Sequence, residues 1–92
     1  MFEWDDHKAS LNITKHGVPF PFAARIFSDH NRIVAIDHRS DYGEVRYVCL
    51  GRINTLVYLV VYTLRSENIR IISARKANSK EARYYENNRL HP

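Results

Sequence analysis

Ninety-two residues are enough for one hydrophobic core and too few for two. Hydrophobic residues at 45% exclude a disordered chain, and the apolar runs are too short and too interrupted to span a bilayer. A formal charge of +4 points to an anionic partner, either nucleic acid or an acidic protein.

Phe2-Glu3-Trp4 is a short apolar lead-in that ends at Asp5. Asp5 or Asp6 can cap a first helix running to Lys15 or His16, and both carboxylates suit the positive end of its dipole. Ala9, Ile13 and His16 share one face with Asn12 beside them, and Gly17 supplies a left-handed C-cap. Pro21 fits the first turn of a second, short helix, which pairs Phe22 with Ile26 and Ala23 with Phe27 before Ser28-Asp29-His30-Asn31 breaks it.

Alternation and β-branched content predict four strands at about 32–38, 44–50, 55–65 and 69–75. The short polar connections Arg39–Gly43 and Arg52–Asn54 predict an antiparallel meander. In the turn at Ser66-Glu67-Asn68 the asparagine is the residue expected in the left-handed region. The sequence Asn78-Ser79-Lys80-Glu81 fits a capping box for a last helix. Ala82 and Tyr85 are expected inside, Arg83 and Glu86 outside, with fraying over 87–92. The predicted fold class is α+β over a single domain, residues 1–92: two N-terminal helices, a four-stranded antiparallel sheet and a C-terminal helix, with the helices on one face.

The lone cysteine, Cys49, excludes an internal disulfide and reads as a buried, inert thiol. With no signal-peptide pattern at Met1–Asp5, the expected compartment is the cytoplasm. The five histidines lack metal-ligand spacing, and no Cys pair, H-E-x-x-H, Walker-type loop or G-x-G-x-x-G is present, so neither a metal nor a nucleotide cofactor is expected.

The strand at 55–65 is apolar on both faces and must lie mid-sheet, which leaves Arg65, Arg70 and Arg75 as cations on a rigid platform. Arg70 and Arg75 are five residues apart, an odd spacing that sends them to opposite faces. A two-residue hairpin loop would set Tyr58 opposite Arg75 and Tyr62 opposite Ile71; a three-residue loop would set Leu59 opposite Arg75. Lys15 and His16 at a helix end are either a solvated, dipole-compensating pair or a phosphate-binding, proton-handling pair. Glu44 and Arg46 share a face, either as a cross-strand ion pair or with Glu44 as a base or a hydrogen-bond anchor for a guanidinium. Trp4 is a core plug or a surface on which a base stacks. The set Arg, Lys, His, Tyr and Glu suits metal-free cleavage of RNA by its own 2′-hydroxyl, and equally admits simple RNA binding.

The chain resembles the BrnT family of type II toxins, small ribonucleases with a RelE-like fold. The matching pieces are F-E-W-D (Phe2 to Asp5), N-x-x-K-H-G-V-x-F (Asn12 to Phe20), A-x-x-x-F (Ala23 to Phe27), E-x-R (Glu44 to Arg46) and L-G-R (Leu50 to Arg52). V-V-Y-T-x-R (Val60 to Arg65), I-R-I-I-S-A-R-x-A (Ile69 to Ala77), Glu81 and Tyr85 complete them. Pro19-Phe20-Pro21-Phe22 departs from the more acidic start usual for the second helix. The resemblance implies metal-independent mRNA cleavage that blocks translation and growth. It also implies a BrnA-type antitoxin, two copies of each chain in the complex, with DNA contacted only through the antitoxin. Carried onto this chain, it implies Lys15, His16, Glu44, Arg65 and Arg75 as catalytic positions, with Arg46, Tyr62 and Arg70 as RNA contacts. Arg65 and Arg75 would hold the phosphate, Lys15 or His16 would move protons, and Glu44 would orient an arginine. The alternative reading of Arg70 is a structural ion-pair member. The alternative is a non-catalytic module that binds only the antitoxin or RNA.

Overall fold

The computed structural model describes residues 1–39 and 43–89. The middle of the expected 39–43 connection and the last three residues of the expected frayed tail lie outside the described residues. Among the described residues five strands form one sheet: β1 (Phe2–Glu3), β2 (Ile33–Ile36), β3 (Tyr47–Ile53), β4 (Leu56–Arg65) and β5 (Asn68–Lys76), in spatial order β1-β5-β4-β3-β2. The last four form the antiparallel meander read from the sequence, whereas β1 lies parallel to β5 and makes the sheet mixed. The apolar lead-in is therefore an edge strand, with Phe2 opposite Ile69 and its ring 5.5 Å from Phe27.

Helix α1 (Asp6–His16) has the predicted ends: Asp5 Oδ1 accepts from Lys8 N, and Gly17 takes φ 71°. Helix α2 (Phe20–Ala23) opens with Pro21 in its first turn and tightens into a 3₁₀ segment over Ala24–Ser28. Both pack on one face of the sheet. Phe20, Ala23 and Ile26 bury completely against Cys49, Val60 and Ala74, which the strand register places in one line. Each large apolar side chain buried this way stabilises the fold by roughly 1.5–3 kcal/mol. The close approach needs Gly51, where a Cβ would lie 2.5 Å from Ile26 Cγ1. Burial pushes the Cys49 thiol up to about 12, in keeping with an inert core cysteine.

The hairpins differ from expectation in detail. β3 runs on through Leu50-Gly51-Arg52, so the β3–β4 turn is the two-residue Asn54-Thr55, with Asn54 at φ 57°. In the β4–β5 turn Ser66, not Asn68, takes the left-handed conformation, at φ 54°. Asn68 pairs with Arg65 instead and holds Glu3 with its amide at 2.9 Å.

Both expected β4–β5 registers occur, one on each side of a bulge. Near the turn Tyr62 faces Ile71, as a two-residue loop requires; further on Leu59 faces Arg75, as a three-residue loop would give. The shift lies between Val61 and Tyr62 and leaves Ile72 as the extra residue. The bulge also overturns the odd-spacing reading. Arg75 lies opposite Leu59 and Arg70 opposite Thr63, both on one face of β4, so the two arginines share a face.

Helix α3 (Ser79–Asn88) begins with the predicted capping box between Asn78 and Glu81. It does not join the other helices. Arg52 and Arg75, which stand on the face away from the core, hold it through Glu86 and Glu81. Tyr85 anchors it: its ring is buried, Arg52 lies 5.6 Å over it, and its hydroxyl donates to Asp29 Oδ2 at 2.5 Å. Glu86, expected outside, is half-buried by this pairing. Among the described residues no helix is long and apolar enough to cross a membrane.

Candidate active site

The face of the sheet opposite α1 and α2 carries a pocket of about 850 Å³. Its floor is apolar: Ala35 on β2, Val48 on β3, and Leu59 and Val61 on β4. Ser73 and Arg75 rise from β5, Lys15 and His16 enter from the last turn of α1, Asp37, His38 and Arg39 follow β2, and Glu81 closes the side nearest α3.

Helix α1 belongs to the covered face, yet its end reaches the open one because Asn12 ties the helix to the sheet edge. β1 covers β5 only as far as Arg70, so beyond it the outer backbone groups of β5 need partners. Asn12 supplies them: its side chain accepts from Ala74 N at 3.1 Å and donates to Ala74 O at 2.8 Å and Val18 O at 2.9 Å. The helix thereby takes the place of an edge strand, and one turn later Lys15 and His16 arrive at the rim of the sheet.

Arg75 is held on three of its donors. Glu81 accepts from its Nη1 at 2.8 Å and its Nη2 at 2.9 Å, and Lys76 O accepts from Nη1 at 3.2 Å. The hydrogen bond to Glu81 raises the guanidinium pKa, and the same bond lowers that of the Glu81 carboxyl. Three of the five N–H donors are occupied, which leaves Nε–H and the second Nη2–H on one edge of the group. That edge is a bidentate fork of the kind that matches a phosphate. On the opposite wall Arg39 donates to both oxygens of Asp37, at 2.9 and 2.8 Å. Those bonds, with one from the Arg39 backbone N–H, lower the Asp37 carboxyl to about 2. The pocket thus holds Lys15, Arg39 and Arg75 against two carboxylates, each bound to one of its arginines. Among the described residues Lys15 makes no ion pair.

Of the positions singled out in the sequence, Lys15, His16 and Arg75 meet in this pocket. Arg65 does not. It ends β4 six residues beyond Leu59, roughly 20 Å along the strand, and faces the Glu44 carboxylate at 3.6 Å. Glu44 lies beside Arg65 and away from the pocket. Arg70 bonds Glu3 at 2.7 Å, the geometry of a structural ion pair. Arg46 is half-buried next to the end of β2, where its carbonyl accepts from Asp37 N, and it does not line the pocket. Tyr62 is corrected outright: it is a core residue on the covered face, stacked on Tyr47 at 5.3 Å and edge-on to Phe27 at 5.0 Å. Trp4 packs edge-on to Phe20 at 6.0 Å, in the core-plug geometry.

Sequence reasoning assigned no site role to Asp37, His38, Arg39, Ser73 or Glu81, all of which line the pocket. A signal existed for Glu81. A capping-box glutamate spends one oxygen on its own helix, and Arg75 lies six residues upstream, within reach of the other.

The sequence that builds this fold matches a family of toxins. Residues 4–81 fit the family model described as "Ribonuclease toxin, BrnT, of type II toxin-antitoxin system", a stretch that contains every residue lining the pocket. The chain belongs to the BrnT family of ribonuclease toxins. No curated protein matches it.

Proposed function

We propose that the chain, working as a single domain over residues 1–92, is a metal-independent endoribonuclease that cuts mRNA in the cytoplasm and so halts translation and growth. A BrnA-type antitoxin neutralises it in a complex with two copies of each chain, and DNA is contacted only through that antitoxin. The observation that carries the reading is the convergence of Lys15, His16 and the partly occupied guanidinium of Arg75 on one pocket in a ribonuclease family member.

In this reading the scissile phosphate sits on the Nε/Nη2 edge of Arg75. Lys15 or His16 takes the proton from the 2′-hydroxyl, whose oxygen bonds to phosphorus as the P–O5′ bond breaks. The other residue of the pair protonates the departing O5′. The products are a 2′,3′-cyclic phosphate and a free 5′-hydroxyl. Arg70 and Arg65, on the same face of the hairpin and toward its turn, accept the flanking backbone, with Glu44 orienting Arg65.

The test is incubation of purified protein with RNA in EDTA, followed by analysis of the new ends. Cleavage giving cyclic phosphate termini, lost in Arg75→Ala with circular dichroism unchanged, is the expected result. Intact RNA at stoichiometric, folded protein contradicts it and leaves a module that only binds. Salt-sensitive RNA association without products would be its mark.

A further inference from the structure

Among the described residues strand β2 is the outer edge of the sheet, paired only with β3. Asp37 N donates to Arg46 O directly across from it, which fixes the phase of the antiparallel ladder. Ile33 and Ala35 therefore direct their backbone groups toward β3, and Val34 and Ile36 direct theirs outward. The same two residues carry exposed apolar side chains, 45% and 50% accessible. Nothing within Ile33–Ile36 blunts this edge: it has no lysine, no proline, no charged residue and no bulge.

From this edge we infer that β2 is the docking strand for an extended segment of the antitoxin, one that alternates apolar residues and is acidic at the end beside Arg32. This rests on reading the chain as a toxin held by a protein antitoxin. Charge selects the occupant. The strand is flanked by Arg32 on one side and His38 and Arg39 on the other, all exposed, while the intervening Asp37 carboxylate is buried against Arg39. A second copy of this chain, paired antiparallel through its own outward groups with Val34 opposite Ile36, would set Arg32 opposite His38 and close to Arg39. Arg32 makes no ion pair among the described residues, and such a copy offers it no exposed carboxylate. A strand with an acidic residue at that end supplies the missing partner. Ala35 and Ile36 also form one wall of the pocket, so a strand added here extends that wall and brings the antitoxin chain to its mouth.

Amide hydrogen exchange on the free toxin and on its complex with the co-expressed antitoxin tests this. In the free protein the Val34 and Ile36 amides exchange quickly and that of Ala35 slowly; in the complex the first two slow by about tenfold or more. Val34→Pro removes an outward donor without touching the β3 ladder. It is expected to weaken antitoxin binding about tenfold or more while leaving RNA cleavage and the circular dichroism spectrum unchanged. Arg32→Glu weakens binding without proline strain, by a margin that shrinks in high salt. Unchanged Val34 and Ile36 exchange in a complex that does form overturns the docking strand and spares the toxin reading. Protection of those amides in concentrated toxin alone assigns the edge to self-association instead. Failure of the wild-type pair to associate at all overturns the toxin–antitoxin reading together with this one.

Discussion

The two ends of the open face carry similar groups in different states. At the α3 end, Arg75 is held by Glu81 through two bonds of 2.8 and 2.9 Å, and Glu81 is itself fixed by the capping box of α3. At the hairpin end, Arg65 meets Glu44 at a single 3.6 Å contact, with half of its side chain in solvent. An arginine fixed by a buttressed carboxylate presents its remaining donors in one geometry, whereas a loosely paired one samples many. The first arrangement suits stabilisation of a transition state, and the second suits attraction of a polyanion.

The largest effect that would sharpen this contrast is catalytic. Arg75→Ala is expected to reduce cleavage by about 10²-fold or more, as for loss of a preorganised donor. Arg65→Ala is expected to cost about tenfold, chiefly in KM and mostly erased at high salt. Equal losses measured under single turnover for the two variants would break the comparison.

Next is stability at the α1–β5 seam. Asn12→Ala strands both backbone groups of Ala74 in a buried position, at about 1–3 kcal/mol for each. Chemical denaturation should show a loss of about 3 kcal/mol. Cleavage should fall with it, because Lys15 and His16 depend on where α1 ends.

A smaller effect is expected from Glu81→Gln, which keeps the cap and one acceptor but removes the charge that pairs with Arg75. Cleavage should drop by about tenfold through kcat with KM little changed, since Glu81 positions the arginine without meeting RNA. A change confined to thermal stability would reduce Glu81 to a helix cap.

The mildest effect concerns acid. Asp37 has its carboxyl lowered from 3.8 to about 2, so its contribution to stability is complete above about pH 4 and disappears as pH falls through about 2. Asp37→Asn should therefore lower stability at neutral pH, flatten the acid limb of the unfolding curve over that interval and converge on the wild type below about pH 2.

Much of this architecture was legible in the chain, for physical reasons that can be named. Helix ends marked by Asp5, Gly17 and the Asn78–Glu81 box are local chemistry, and local chemistry is written in the sequence. The meander followed from alternation and short connections. β1 was hidden because two residues carry no periodicity, and its pairing with Ile69 and Arg70 depends on the whole sheet. The bulge at Ile72 was equally hidden, since an inserted residue leaves both neighbouring runs looking regular; it moved Arg70 to the face of Arg75. Tyr62 was misread because an apolar strand covered on both faces gives no sign of which side its tyrosines take. The pocket was half visible. Lys15, His16 and Arg75 announced themselves by residue type, while Asp37, Arg39 and Glu81 looked like ordinary surface charges until the fold set them around one floor.

The most direct measurement is an NMR titration of the isotopically labelled toxin with a short RNA whose 2′-hydroxyls are methylated, so that it binds without being cut. Bond breaking at the α3 end of the open face predicts the largest amide shifts at Lys15, His16, Ser73 and Arg75, with weaker, salt-sensitive shifts at Glu44 and Arg65. Shifts confined to Glu44, Arg65 and the hairpin turn, with the pocket residues unmoved, would contradict it.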